Sequence, residues 1–218
     1  MIAGEIVVLD HNLPSEALSI LPSLSAGKEF HFDIVDGALK ASAMQTFRFR
    51  IAEPSDAEQL GIIGPAIYAE CYGHMWNNAA AYAERLQTFS TVATAEFISR
   101  SNTKTWLVEQ RNRAVGFLSL VIASPDPIHA RTDGAEVPRI YLLAPARGKG
   151  LAAKLMAEAD RYARAMGSSH IWLDAMKQAP WAWQTYQKWG FTKIGETTFP
   201  GDMRPEFKPM IVMRRWCA

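Results

Sequence analysis

The sequence predicts an α/β (α+β) domain, and three observations carry that expectation. Short alternating or apolar runs that read as strands are separated by longer runs with helical spacing. The helical runs open at Pro or at a capping residue and stop at Gly. At 218 residues, 49% of them apolar, the chain suits one sizeable domain plus an extension.

Residues 47–51 alternate and read as a strand. Pro54-Ser55-Asp56-Ala57-Glu58 then opens a helix, with Ser55 as N-cap and Glu58 as its capping-box partner. Residues 105–109 and 114–120 read as strands joined by a turn around Asn112. The apolar stretch Ile140-Tyr141-Leu142-Leu143 is a further strand, and it runs into a basic turn, Arg147-Gly148-Lys149-Gly150. Beyond it, Leu151, Leu155, Met156, Ala159, Tyr162 and Ala163 recur at helical spacing among Lys154, Glu158, Arg161 and Arg164. Gly167 ends that helix, and residues 170–175 form the next strand. Pro180 starts a helix over 181–189, since its missing N–H costs nothing in the first turn. Gly190 stops it, and Phe191 leads into a strand. The resulting order from residue 45 to the C-terminus is β-α-α-β-β-β-α-β-α-β-β. Residues 1–44 form a separate extension with strand-like runs at 6–9 and 30–35 and a turn signal at Asp36-Gly37. The expected division is therefore 1–44, a hairpin-like decoration packed on the domain, and 45–218, the domain itself.

The turn at 147–150 has the chemistry of an anion site. A helix start leaves backbone N–H groups unpaired at the positive end of the peptide dipoles, so phosphates bind there. Gly148 and Gly150 let the backbone approach a bulky ligand, while Arg147 and Lys149 add charge. The P-loop pattern is absent, and the dinucleotide fingerprint is met only with Ala153 in place of its last Gly. The stretch from Arg147 to Ala152 reads R-x-x-G-x-A, and residues 182–191 read A-x-x-x-Y-x-K-x-G-F.

These two signatures, in this order and at this distance, resemble the GNAT acyl-CoA N-acetyltransferases over about four-fifths of the chain. The resemblance implies the GNAT fold: a mixed, mostly antiparallel twisted sheet with helices on both faces. It implies acetyl-CoA as cosubstrate and no metal. Backbone N–H groups of Arg147, Gly148, Lys149, Gly150, Leu151 and Ala152 would hold the pyrophosphate. The strand holding Ile140, Leu142 and Leu143 would pair with the pantetheine arm, with an N–H near Leu142 aimed at the acetyl oxygen. Tyr186 matches the family tyrosine beside the CoA sulfur. An aromatic on an amphipathic helix is ordinarily core, but here the surrounding frame favours a proton-donating phenol. Many relatives carry Asn where this chain has Ala179, so that cofactor contact is missing or taken over by Gln178.

A narrower likeness is carried by residues 67–74, Phe89-Ser90, residues 135–142 and Phe199-x-Gly201. Together they are similar to the PaiA-type polyamine acetyltransferases. On that likeness Glu136 is the candidate base, with a solvated strand entry as the equal alternative. Glu70, Tyr72 and His74 are candidates for the acceptor pocket, each with an ordinary structural role as the alternative. His170 reads as structural.

Composition bounds the rest. A net charge of +1 gives no broad basic footprint for nucleic acid. Two cysteines, Cys71 and Cys217, make no disulfide framework, and no Cys/His cluster has metal spacing. No signal peptide or membrane-spanning run is present, so a cytoplasmic protein is expected. A homodimer is common in the resembled family and is expected on that ground alone. The activity expected is acetyl transfer to a primary amine of a small molecule, with a polyamine first. Peptide or aminoglycoside acetylation and a non-catalytic CoA-binding regulator remain as alternatives.

Overall fold

The structure, a computed structural model, describes residues 30–35, 38–43 and 46–217. The chain divides into two compact units, Met1–Thr46 and Phe47–Ala218. In the first, β1 (Phe30–Val35) and β2 (Ala38–Ala43) form an antiparallel hairpin with Val35 opposite Ala38. The strand expected at 6–9 and the turn at Asp36-Gly37 lie outside the described residues.

The second unit runs β3 (Arg48–Ile51), α1 (Ala57–Tyr72), α2 (Ala79–Gln87), α3 (Thr91–Ser99), β4 (Thr103–Gln110), β5 (Arg113–Ile122) and β6 (Gly134–Leu142). It continues with α4 (Leu151–Ala165), β7 (His170–Met176), α5 (Pro180–Lys188), β8 (Thr192–Thr198) and β9 (Pro209–Trp216). Seven strands make one twisted sheet in the order β3-β4-β5-β6-β7-β9-β8. Only β6 and β7 run parallel; every other neighbouring pair is antiparallel.

Alternation along the strands sends side chains to two apolar layers. On one face Val108, Leu118, Leu120, Ile171 and Leu173 pack with Leu155, Met156, Ala159 and Ala163 of α4, and Tyr186 of α5 and Trp189 just after it lie against them. On the other, Leu107 and Phe117 meet Leu60 of α1. Each such side chain, taken fully out of water, contributes roughly 1.5–3 kcal/mol. The fold is thus the mixed, mostly antiparallel sheet with helices on both faces.

Two local expectations are corrected. Three helices, not two, separate β3 from β4. The additional one, α2, is capped by Asn78, whose side-chain oxygen accepts the N–H groups of Ala80 and Ala81 at 3.1 and 3.2 Å. The first helix is not capped by Ser55 and Glu58. A single 3₁₀ turn, Pro54–Asp56, precedes α1, and Asp56 Oδ2 accepts the Glu53 N–H at 2.7 Å. Asp56 is fixed in that role because the Arg50 guanidinium donates to both its oxygens, at 2.6 and 2.7 Å. The β4–β5 turn centres on Arg111 and Asn112, both left-handed (φ 51° and 57°), which suits the twist of a tight hairpin.

Candidate functional site

The parallel pair β6/β7 opens up partway along. Gly134, Ala135 and Glu136 pair with His170, Ile171 and Trp172, and there the pairing ends. The rest of β6 still pairs with β5 as far as Leu142, and the Leu143 N–H donates to the Val115 carbonyl at 2.9 Å. Successive peptide groups of a strand point to opposite sides. The N–H groups of Ile140 and Leu142 therefore face the open side, away from β5. The Leu142 carbonyl points there too, and accepts Arg147 Nε at 2.9 Å. Pro138, with no N–H, sits just where β7 has moved away.

The open edge leads to the loop before α4. Gly148 and Gly150 both take left-handed conformations (φ 75° and 72°), which other residues rarely adopt. A Cβ at either would meet nothing within 4 Å, so these glycines serve backbone shape and leave open space outside. Gly150 is the N-cap of α4, and no side chain caps that helix start. The positive end of a 15-residue helix thus faces solvent beside Lys149.

Two cavities adjoin β6. The smaller, of about 160 Å³, is lined by Ile140, Leu142, Arg147, Ala152, Tyr186 and Trp181, among others. The larger, of about 410 Å³, is lined by Tyr68, Arg85, Glu136, Arg139 and Asp174, among others. Tyr72 and Tyr141 belong to both, so the two spaces meet at these rings.

The larger cavity holds two carboxylates on one wall. Glu136 lies opposite Trp172 in the β6/β7 register, and Asp174, two residues further along β7, projects from the same face. Ser124 Oγ donates to Glu136 Oε2 at 2.7 Å, and the Ser124 carbonyl accepts Trp172 Nε1 at 2.9 Å. Burial raises the Glu136 pKa, with the Ser124 hydrogen bond opposing it. Asp174 meets solvent through the cavity, yet the enclosing walls push its pKa up to about 6, the charge of Glu136 adds to this, and Arg85 opposes it. Three phenols border the junction. Burial pushes Tyr141 up to about 12 and raises Tyr72 and Tyr186 as well, so all three keep their protons at neutral pH.

A carboxyl whose pKa is raised on folding stabilises the fold only while it is protonated. That contribution is fully present below the unfolded value of 3.8 and is lost as pH rises through about 6. Replacing Asp174 by Asn should therefore raise Tm at pH 7.5 and leave it unchanged near pH 4. Equal shifts at the two pH values in thermal denaturation would contradict that environment for Asp174.

The residues expected at the site divide by place. Ile140, Leu142, Arg147, Ala152 and Tyr186 gather around the smaller cavity, Glu136 lines the larger, and Tyr72 lines both. Gly148, Lys149 and Gly150 form the exposed loop, while Leu151 is buried in the core and Leu143 spends its N–H on β5. Glu70 lines neither cavity; its carboxylate is drawn to the Arg147 guanidinium at 2.7 and 3.1 Å. His74 also lines neither: it is exposed and meets the Phe207 ring edge-on, 5.5 Å between centroids. Ala179 is wholly buried in a methionine-rich cluster with Met75 and Met203, and Gln178 is exposed outside both cavities. His170 is wholly buried, with Nδ1 2.8 Å from Ser169 Oγ.

Asp174, Arg85 and Arg139 escaped the sequence reading. Asp174 was legible as the one carboxylate in an otherwise apolar strand, His-Ile-Trp-Leu-Asp-Ala-Met. Arg85 lies on α2, a short helix with no buried residue, which the sequence reading did not separate from its neighbours. Among the described residues no group of His, Cys, Asp and Glu could hold a metal ion, and no helix is long and apolar enough to cross a membrane.

The splayed parallel strand pair thus lies beside an uncapped, glycine-shaped helix start. Residues 66–191 match the model of the acetyltransferase (GNAT) family, and the chain belongs to that family. It is similar to a curated acetyltransferase of Agrobacterium fabrum, at 47% identity over 49 residues, spanning 22% of this chain and 34% of that relative. Among solved structures, the PaiA N-acetyltransferase of Thermoplasma acidophilum in complex with coenzyme A is 18% identical, with a TM-score of 0.64 over 78% of this chain and 99% of that one. An N-acetyltransferase of Staphylococcus aureus Mu50 is 23% identical, with a TM-score of 0.61 over 79% and 99%. YncA of Salmonella typhimurium, solved with acetyl-CoA, is 18% identical, with a TM-score of 0.57 over 79% and 94%. At these identities the structural likenesses show the fold.

Proposed function

We propose that this protein is an acetyl-CoA-dependent N-acetyltransferase acting on the primary amine of a small molecule. The observation that carries this reading is the meeting of the two cavities at Tyr72 and Tyr141, beside the open edge of β6. A donor lying along that edge would bring its thioester to the point where an acceptor in the larger cavity can attack. Holding both reactants removes much of the entropic part of the barrier.

The pyrophosphate of acetyl-CoA would rest on the loop Arg147 to Ala152. Its pantetheine arm would pair with the free side of Ile140 and Leu142, and the Leu142 N–H would polarise the acetyl carbonyl as it becomes an oxyanion. Glu136 and Asp174 would receive the ammonium and take its proton. A carboxylate with a pKa of about 6 is ionised at neutral pH yet more basic than a solvated one. The amine nitrogen would then bond to the acetyl carbon, and the carbon–sulfur bond would break. Tyr186 would give its proton to the departing thiolate, since a phenol of raised pKa still holds one, and would be reprotonated by the proton that the adduct nitrogen releases as it becomes the amide.

The acceptor space, of about 410 Å³ and walled by α1, α2, β6 and β7, has the size of a small molecule and supports one over a peptide. A polyamine accounts for the two carboxylates but leaves Arg85 and Arg139 without a role. The direct test is thiol release from acetyl-CoA against a panel of amines, with acetyl-CoA binding measured in parallel. Turnover with one amine class is the expected result, with kcat/KM falling on the acid side as Asp174 protonates near pH 6. Firm binding with no turnover across the panel would favour a CoA-binding regulator, and no binding would remove the reading altogether.

A further inference from the structure

We infer that the acceptor is zwitterionic, an amino-acid-like molecule that carries a carboxylate or comparable oxyanion beside its amine, and that Arg85 seats the anionic group. The inference rests on the acetyl-transfer reading for the identity of the larger cavity and goes beyond it in naming the acceptor class.

Arg85 is built into the wall of that cavity and lacks an anion. Its guanidinium lies over three aromatic rings, 5.1 Å from the Tyr68 centroid and 5.5 Å from those of Phe89 and Phe199. These contacts fix the plane of the group and stabilise its charge in part. They supply no hydrogen-bond acceptor, and Arg85 Nε is buried without a partner. No carboxylate among the described residues forms an ion pair with Arg85. A buried guanidinium donor left unpaired is costly, so such a group is ordinarily matched by something.

A second guanidinium stands close by. Arg139 lies 4.5 Å from the same Phe89 ring, and Nη2 donates to the Thr88 carbonyl at 2.8 Å, a neutral partner. Burial draws the Arg139 pKa down, and the nearby charge of Arg85 lowers it further. The cavity thus has a cationic end, where two guanidiniums repel each other with no counter-ion. It also has an anionic end, where Glu136 and Asp174 repel each other and neither forms an ion pair among the described residues, Arg85 acting on Asp174 only through space.

An occupant of single charge can satisfy only one of these ends. A polyamine would neutralise the carboxylates and add repulsion at Arg85. A zwitterion relieves both, with its ammonium on Glu136 and Asp174 and its oxyanion on Arg85. It is also oriented by that pairing, because reversing it would set like charges together at each end. The planar fork of Arg matches a carboxylate through two parallel hydrogen bonds.

The test compares each of a set of α-amino acids with its own carboxamide and its decarboxylated amine, with spermidine included. Two readouts are taken: binding to the full-length enzyme in the presence of CoA by calorimetry, and thiol release from acetyl-CoA. For the preferred amino acid, loss of the carboxylate should weaken binding and kcat/KM by about 100-fold. In Arg85→Gln the acid-to-amide ratio should fall toward one, and in Arg85→Lys it should be partly kept. Circular dichroism would confirm that both variants fold, and the wild-type acid-to-amide ratio stands even if one of them does not. Equal binding of acid and amide, or tighter binding of spermidine than of every amino acid, would overturn the inference. Selective binding of an acid that Arg85→Gln abolishes, with no thiol release from any amine, would uphold the anion site and refute acetyl transfer instead.

Discussion

Replacing Tyr186 by Phe should lower kcat by about 100-fold or more, the range expected for loss of a positioned proton donor, with acetyl-CoA affinity nearly unchanged. The substitution removes only the hydroxyl. The ring contacts with Trp189 and Phe191, 5.8 and 6.2 Å between centroids, are kept, so helix α5 and its packing should survive. On the proposed reading, binding energy along the pantetheine arm would come from backbone groups of β6, which the substitution leaves untouched. Because burial, Tyr141 and Asp174 all raise the Tyr186 pKa, the phenol should not deprotonate below pH 10, and the wild-type profile should show no alkaline loss from this group. Steady-state rates with calorimetric acetyl-CoA binding decide the matter. A kcat within a factor of three of wild type would remove Tyr186 from the reaction and leave it as packing.

The largest expected effect on stability lies away from the site. Arg50 donates to both oxygens of Asp56 at 2.6 and 2.7 Å and reaches Glu109 through Nη2 and Nε at 2.6 and 3.0 Å. Both carboxylates are about 5% exposed. Replacing Arg50 by Ala would leave two buried negative charges facing a gap, at a cost of about 3–5 kcal/mol. Arg50 is itself a quarter exposed, which favours the lower figure. A loss of about 3 kcal/mol lowers Tm by roughly 6–12 °C in a domain of this size. Lys should rescue little, because one ammonium cannot span both acceptors with parallel hydrogen bonds. The hydrogen bond from Arg50 lowers the Asp56 pKa below 3.8, so this stabilisation is complete above that value and fades as pH falls through the folded pKa. The deficit of the variant should therefore hold from neutrality down to about pH 4 and shrink only below that. A Tm within 2 °C of wild type at pH 7 would show that the cluster adds nothing net.

Much of the fold and of the loop before α4 was legible because it depends on short-range chemistry. Gly148 and Gly150 announce left-handed backbone, Pro180 and Gly190 bracket a helix, and the apolar period from Leu151 to Ala163 sets the buried face of α4. The acceptor side was less legible. Glu70 and His74 follow the first helix at plausible positions, yet Glu70 is claimed by Arg147 and His74 turns outward against Phe207. Arg85 could not be read at all. Its significance comes from Tyr68, Phe89 and Phe199, which lie on three different segments.

The sequence by itself determined the order of the strands in the domain, the family, and the glycine-shaped loop before α4, since each is set by residues within a few positions of one another. Only the tertiary structure decided what the acceptor space is made of. The register of β6 against β7 puts Glu136 and Asp174 on one wall, and the packing of α1 and α2 over the sheet brings Arg85 into the same cavity. Those charges are 38 to 89 residues apart along the chain. Electrostatic forces act through space and the shape of the cavity, so no local pattern of residues could have shown that a pair of carboxylates and a pair of guanidiniums share one enclosure.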